Sequence, residues 1–275
     1  MSHAPIERFS LDDADALAAL SAAVSWRDTP ADWRTVLSLG HVVGLRARGA
    51  PVAVAARFDF GALWSIGKVI VHPSQQGRGH ARRILERLLD ERAPDTRVTL
   101  VATPQGEPVY RRLGFRQVGT IHKLVGTVSG VPHEALRPLD ARNLDAALAL
   151  DREVFGADRG ALLARRVELS TRAFTLTAEG ILTGYGVAIE QGGHVVLGPV
   201  VAARDDDALT LVRALLPREA GPRRIDVPSA HAGFINVLVS MGFRDTEARP
   251  VMSLAGAPLV GDVSRRFALA AQAFG

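Results

Sequence analysis

At 275 residues, 47% hydrophobic and 23% charged, the chain has the composition of a soluble globular protein long enough for two domains that each bury a core. It contains no cysteine, which excludes disulfides, thiolate metal sites and a cysteine nucleophile, and no apolar run approaches the ~18 residues of a membrane span. The net charge is only +4, and its basic residues, nearly all arginine, are scattered among acidic ones, which argues against a nucleic-acid surface and for a modest field that helps a small anion approach.

The first eight residues carry neither a basic segment nor an apolar stretch of export type, so the expected location is the cytoplasm. Ser10-Leu11-Asp12-Asp13 reads as a capping box opening a helix through Val24, with Ala14, Leu17, Ala18 and Leu20 on one face. Thr29-Pro30-Ala31-Asp32 repeats that signal for a helix carrying Trp33, Val36 and Leu37. Strands are expected over 41–46, 51–59 and 64–71.

The next segment is the most informative. A His72-Pro73 turn leads into Gln76-Gly77-Arg78-Gly79-His80-Ala81, then a helix over 81–91 whose first turn carries Arg82 and Arg83. A glycine-bearing loop at a helix N-terminus exposes successive backbone N–H groups, and these together with the helix dipole favour phosphate oxygens. Gly77 and Gly79 let a diphosphate approach the backbone with no Cβ between. A dinucleotide fingerprint would need a third small residue where Arg82 stands, and a P-loop would need Gly-Lys-Ser/Thr. The remaining alternative is an ordinary strand–turn–helix connection.

A strand over 97–102 follows, then a short helix ending in Tyr110-Arg111-Arg112-Leu113-Gly114-Phe115 and a last strand over 117–125. Gly114 sits where a helix C-cap needs positive φ. The two motifs, in this order, resemble the pyrophosphate loop and the Tyr-x-x-Leu-Gly-Phe segment of the GCN5-related N-acetyltransferase (GNAT) superfamily.

The pattern then recurs. Leu139-Asp140 echoes Leu11-Asp12 and Gly242-Phe243 echoes Gly114-Phe115, each 128 residues later, and Val98 falls on Asp226 within 224–228. The expected organisation is a catalytic domain over 1–126, a linker over 127–137 and a second domain over 138–275. The fold class expected from the resemblance is α/β (α+β): two tandem GNAT folds, each a mixed twisted sheet flanked by helices. The second copy has lost the chemistry. Where the first has its glycine loop, it reads Ala-Ala-Arg-Asp205-Asp206-Asp207, and Leu238 stands in the place of Tyr110. Three carboxylates would repel a diphosphate. They read as a helix N-terminus in preference to a metal site, and no metal is expected. The segment 264–275 is compatible with a terminal helix, whose Arg265 and Arg266 either form a solvated basic face or reach the cofactor.

The resemblance implies acetyl transfer from acetyl-CoA to an amine, with a small molecule as the preferred acceptor and no membrane or nucleic-acid partner. It implies that the backbone of Gln76, Gly77, Arg78, Gly79, His80, Ala81 and Arg82 holds the pyrophosphate. Val69, Ile70 and Val71 pair with the pantetheine, with the Ile70 or Val71 N–H as oxyanion donor. Tyr110 protonates the leaving thiolate, and Thr103 stands where relatives carry a cofactor-contacting asparagine. The base is not readable from the sequence, Asp59, His72 and His122 being candidates. Trp26 and Trp33 either line the acceptor site or pack in the core. The alternatives are a sensor that binds acyl-CoA without turnover and a nicotinamide-dependent oxidoreductase. Both a monomer and a homodimer are compatible with the chain.

Overall fold

The computed structural model describes residues 4–130 and 136–274; residues 1–3, residues 131–135 in the middle of the expected linker, and Gly275 lie outside the described residues. The first half runs β1 (Glu7–Arg8), α1 (Ala14–Ala23), α2 (Pro30–Leu39), β2 (His41–Ala47), β3 (Ala50–Asp59), β4 (Leu63–Val71), α3 (His80–Asp90), β5 (Arg97–Val101), α4 (Glu107–Arg112) and β6 (Phe115–Thr127). The second runs β7 (Arg137–Pro138), α5 (Leu144–Phe155), α6 (Gly160–Glu168), β8 (Ser170–Ala178), β9 (Ile181–Gln191), β10 (His194–Val201), α7 (Asp205–Leu215), β11 (Pro222–Pro228), α8 (Ala232–Ser240), β12 (Arg244–Leu254) and β13 (Arg266–Ala268). The predicted caps form as expected at α2, where Asp32 N–H donates to Thr29 Oγ1 (3.2 Å) and Thr29 N–H to Asp32 Oδ2 (2.8 Å). At the N-terminus the Ser10 box opens a 3-10 turn that leads into α1.

The mixed sheets of the two halves are fused into one. The strand order is β1-β2-β3-β4-β5-β12-β6-β11-β10-β9-β8-β7, with β13 added to β10. Each half lends a strand to the other: β12 lies between β5 and β6, and β6 pairs with β11 from Thr127↔Pro222 to Ile121↔Pro228. Exchange closes two sheet edges that each half alone would expose. A fragment ending at residue 130 would leave β5 without β12 and β6 without either neighbour. It is expected to lack a cooperative melt and to aggregate; a monomeric fragment melting cooperatively by circular dichroism would contradict the exchange.

In the first half α3 and α4 cover one face. Ile84 and Leu88 pack on Val43, Leu45 and Ala53, and Leu85 and Tyr110 pack near Trp64, Ile66 and Leu100. Helices α1 and α2 cover the other, where Leu17, Trp33 and Val36 meet Val54, Phe58 and Ile70.

The closing segment is not the helix expected over 264–275. Strands β10 and β11 pair only over Val195–Leu197 and then part. In the opening β13 pairs antiparallel with β10, Ala268 opposite Val200 and Arg266 opposite Val201. Leu269 N–H donates to the Asp226 carbonyl (3.0 Å) and Ala202 N–H to that of Arg265 (3.1 Å). Phe267 turns inward onto Phe234 and His231, with ring centroids 5.2 and 4.0 Å away, so burial of the segment and its pairing with β10 outweigh the helix-forming alanines nearby. The chain then crosses to the first half. Ser65 Oγ donates to the Ala273 carbonyl (3.0 Å), and the Phe274 ring meets Phe58 edge-on at 4.6 Å. A Cβ at Gly67 would stand 2.6 Å from that of Ala273, so only glycine admits the crossing. Arg265 pairs with Glu153 (2.7 Å) and Arg266 donates to the Val260 carbonyl (2.7 Å). They neither form a solvated basic face nor line the cleft beside the first half's loop, which corrects both expectations.

Candidate active site

Strands β4 and β5 run parallel and pair only from Leu63↔Arg97 to Ile66↔Leu100. Beyond Ile66 a bulge sets in: the register against β3 passes from Gly67↔Ala56 to Ile70↔Val54, so Lys68 and Val69 together oppose Ala55. Lys68 adopts φ +53°, held by an ion pair with Asp28 (2.6 Å) and close to the rings of Trp26 and Trp33. The strands therefore splay, and a cleft of about 980 Å³ opens between them.

Val69, Ile70, Val71, Gln76, Gly77, Gly79, His80, Ala81, Arg82, Thr103 and Tyr110 all line this cleft; Arg78 is exposed beside it and does not. His72 N–H donates to the Val52 carbonyl (2.8 Å), so the alternation of the ladder turns the Ile70 amide toward β3 as well. The Val71 amide faces the gap instead, and Gln76 Nε2 donates to the Val71 carbonyl (3.1 Å) from that side. Of the two oxyanion donors considered from sequence, only the Val71 N–H has the orientation. The Ile70 side chain packs in the core beneath α1 and α2.

Gly77 and Gly79 have φ of +75° and +79°, and a Cβ at either would meet no protein atom within 4 Å. Arg83 N–H is the first to bond back into α3, to the Gly79 carbonyl (3.0 Å). The N–H groups of His80, Ala81 and Arg82 precede the helical ladder and carry the positive end of its dipole. Such a cradle fits a phosphate. Tyr110 is 6% exposed, and burial raises its pKa well above that of an ordinary phenol. A Cβ at Gly106 would lie 2.8 Å from its ring, so that glycine makes room for it. Thr103 Oγ1 accepts from Gly106 N–H (3.1 Å), so it caps the turn into α4.

No Asp or Glu is found among the described residues lining the cleft, whereas Arg82, Arg112 and Arg249 line it. None of the three candidate bases is there. Asp59 accepts from Gly61 N–H (2.9 Å) in a turn, His72 accepts from Ser74 N–H (3.3 Å), and His122 pairs with Asp245 (2.6 Å) across the exchanged strands. Trp26 lines the cleft; Trp33 is fully buried and donates to Ser21 Oγ (2.9 Å).

Sequence reasoning missed Arg249, which arrives on β12 from the second half. It lies opposite Ile121 and two residues from Val251, on the sheet face away from Met252 and Tyr110. Its Nε and Nη2 donate to Glu247 (3.0 and 2.7 Å), while Nη1 is buried without a partner. No local signal announces it, because the strand exchange that carries it is a long-range event.

In the second half Asp205, Asp206 and Asp207 form the first turn of α7, with Asp207 paired to Arg204 (3.2 Å). Among the described residues no group of three or more His, Asp or Glu side chains is placed to hold a metal. Leu238 is fully buried in the same core as Phe267. No described helix is long and apolar enough to cross a membrane.

A family model described as an acetyltransferase (GNAT) domain matches residues 30–132, and a second one so described matches residues 147–268. The uncharacterized N-acetyltransferase YitH of Bacillus subtilis (strain 168) is 30% identical over 213 residues, 74% of each chain. Holothin acyltransferase of Pseudoalteromonas sp. (strain SANK 73390) is 27% identical over 194 residues, 65% of this chain and 62% of that one. Among solved structures, a provisionally assigned acetyltransferase from Pyrococcus horikoshii has a TM-score of 0.81 at 19% identity, with 98% of this chain and 95% of that one covered. A tandem GNAT protein from the clavulanic acid biosynthesis pathway has a TM-score of 0.62 at 16% identity, with 92% and 99% covered.

Proposed function

Because this chain belongs to the GNAT acetyltransferases, with two such domains in tandem, we propose that its first half transfers an acetyl group from acetyl-CoA to the amine of a small molecule. The observation that carries the reading is the meeting of three features in one cleft: the β4–β5 splay, the glycine loop at the N-terminus of α3 and the buried Tyr110.

Acetyl-CoA supplies an activated thioester. Residues 77–82 hold its pyrophosphate through backbone N–H groups, and the gap-facing edge of Val71 pairs with pantetheine amides. The Val71 N–H is aimed to stabilise the carbonyl oxygen as it gains charge. Tyr110 remains protonated and donates to the departing thiolate sulfur. The acceptor approaches from the opposite face, between Trp26 and Arg249. With no carboxylate among the described residues lining the cleft, the acceptor ammonium loses its proton to water, and turnover rises with pH toward the acceptor's own pKa. Two relatives bear names tied to holothin and to clavulanic acid biosynthesis, which accord with a small-molecule acceptor.

The second half is read as a degenerate partner that binds no acetyl-CoA, since β13 occupies its β10–β11 opening. Calorimetric titration tests this directly, with one acetyl-CoA per chain expected and no response to NAD. Absence of binding would sink the cofactor assignment, and two sites per chain would contradict the filled second opening. Binding without thiol release across a panel of small amines would favour the sensor reading.

A further inference from the structure

A buried and poorly compensated cation lies away from the cleft, at the seam between the halves. Arg166 on α6 is 3% exposed, yet its Nε and Nη2 are buried without any hydrogen-bond partner. The carboxylates that act on it electrostatically, Asp32 and Asp226, are engaged elsewhere. Asp32 accepts from Thr29 N–H and Oγ1 (2.8 and 2.7 Å), and Asp226 accepts from Arg224 and Gln272 (2.8 and 3.0 Å). Arg159 adds repulsion, and burial together with that neighbour lowers the Arg166 pKa to about 9. A buried guanidinium left unpaired is costly, so a missing counter-anion is the economical explanation.

Arg166 lines a cavity of about 630 Å³ between the start of α2 and the β9–β10 turn. A second arginine shares it. Arg223 is 5% exposed, and its Nη1 and Nη2 donate to the carbonyls of Pro222 and Glu219 while Nε has no partner. The other charged or titratable lining groups are Asp32, Arg165, Glu190 and His194; Arg165 is paired with Glu168 (2.7 Å). Val36, Leu162, Ile189 and Phe274 give the cavity an apolar wall, and the Phe274 ring stands 5.9 Å from the Arg166 guanidinium.

We propose that this seam cavity is a binding site for a small organic carboxylate, whose charged end pairs with Arg166 and whose apolar body lies against Phe274 and the aliphatic wall. Guanidinium geometry suits a carboxylate through two parallel N–H donors, and Arg223 adds a second positive charge to the cavity wall. The site is independent of acetyl transfer. It lies beside the segment that leads from Trp26 into α2, because a Cβ at Gly192 in the β9–β10 turn would lie 3.5 Å from the Arg27 carbonyl.

The test is thermal unfolding of the full chain titrated with sodium benzoate, with benzyl alcohol, sodium chloride and inorganic phosphate as controls at matched ionic strength. A saturable rise of a few degrees with benzoate alone is expected for the wild type. The rise should vanish in Arg166→Met, which removes the buried charge at similar volume and should fold at least as well, and weaken in Arg166→Lys, which keeps the charge but loses the planar fork. A flat wild-type titration, an undiminished response in Arg166→Met, or a response to phosphate alone would each overturn the proposal.

Discussion

Gly79→Asp is expected to abolish acetyl-CoA binding while leaving the protein folded. Gly79 is the N-cap of α3 in the left-handed region, and the space beyond it is free of protein atoms. An aspartate there would project a carboxylate into the position proposed for the pyrophosphate. Like charges at contact distance, together with the lost volume, should weaken binding by roughly 100-fold or more, about 2.7 kcal/mol. The cost to folding is small. A non-glycine residue at this φ loses about 1–2 kcal/mol, aspartate less than most, and a carboxylate at a helix N-terminus recovers about 0.3–1 kcal/mol. Calorimetry and a thermal melt on the same sample separate the two effects. Tight binding in a folded Gly79→Asp variant would remove the loop from the mechanism.

Tyr110→Phe should act the other way, leaving acetyl-CoA affinity nearly unchanged and lowering turnover about 100-fold, the lower range for loss of a positioned proton donor. The ring packs against Gly106 and Phe115, contacts that phenylalanine keeps, so stability should change little. The sign of the pH dependence follows from burial. An acid whose pKa is raised keeps its proton to higher pH, so Tyr110 stays a neutral donor through the ordinary alkaline range. Wild-type turnover is therefore expected to rise with pH as the acceptor amine loses its proton, with no decline owed to Tyr110. A wild-type decline near pH 10 that disappears in Tyr110→Phe would show the phenol ionising there, against this assignment. Equal turnover in the two proteins would exclude Tyr110 from catalysis.

Most of the proposed cofactor side of the cleft was legible in the sequence because it is built from local chemistry. Helix caps, positive-φ glycines and a strand–loop–helix succession are decided within a few residues, so Gly77, Gly79 and Gly114 could be placed before any packing was known. The acceptor side was not legible. Trp26 and Trp33 are close in the chain and similar in character, yet one lines the cleft and the other is sealed behind Ser21, a difference made by how α1 and α2 sit on the sheet. Asp59, His72 and His122 looked equivalent as bases, and their positions in turns and across exchanged strands remove all three from the cleft wall.

The two GNAT-like repeats, the glycine loop, the position of Tyr110 and the loss of the loop in the second copy can all be read from the chain, because each is written in residues near one another. Only long-range packing makes the halves exchange β6 and β12, brings Arg249 into the first cleft and lets β13 fill the second opening. These outcomes depend on which open sheet edge a distant strand can pair with. Edge pairing through backbone hydrogen bonds is nearly indifferent to side-chain identity, so no local motif records it.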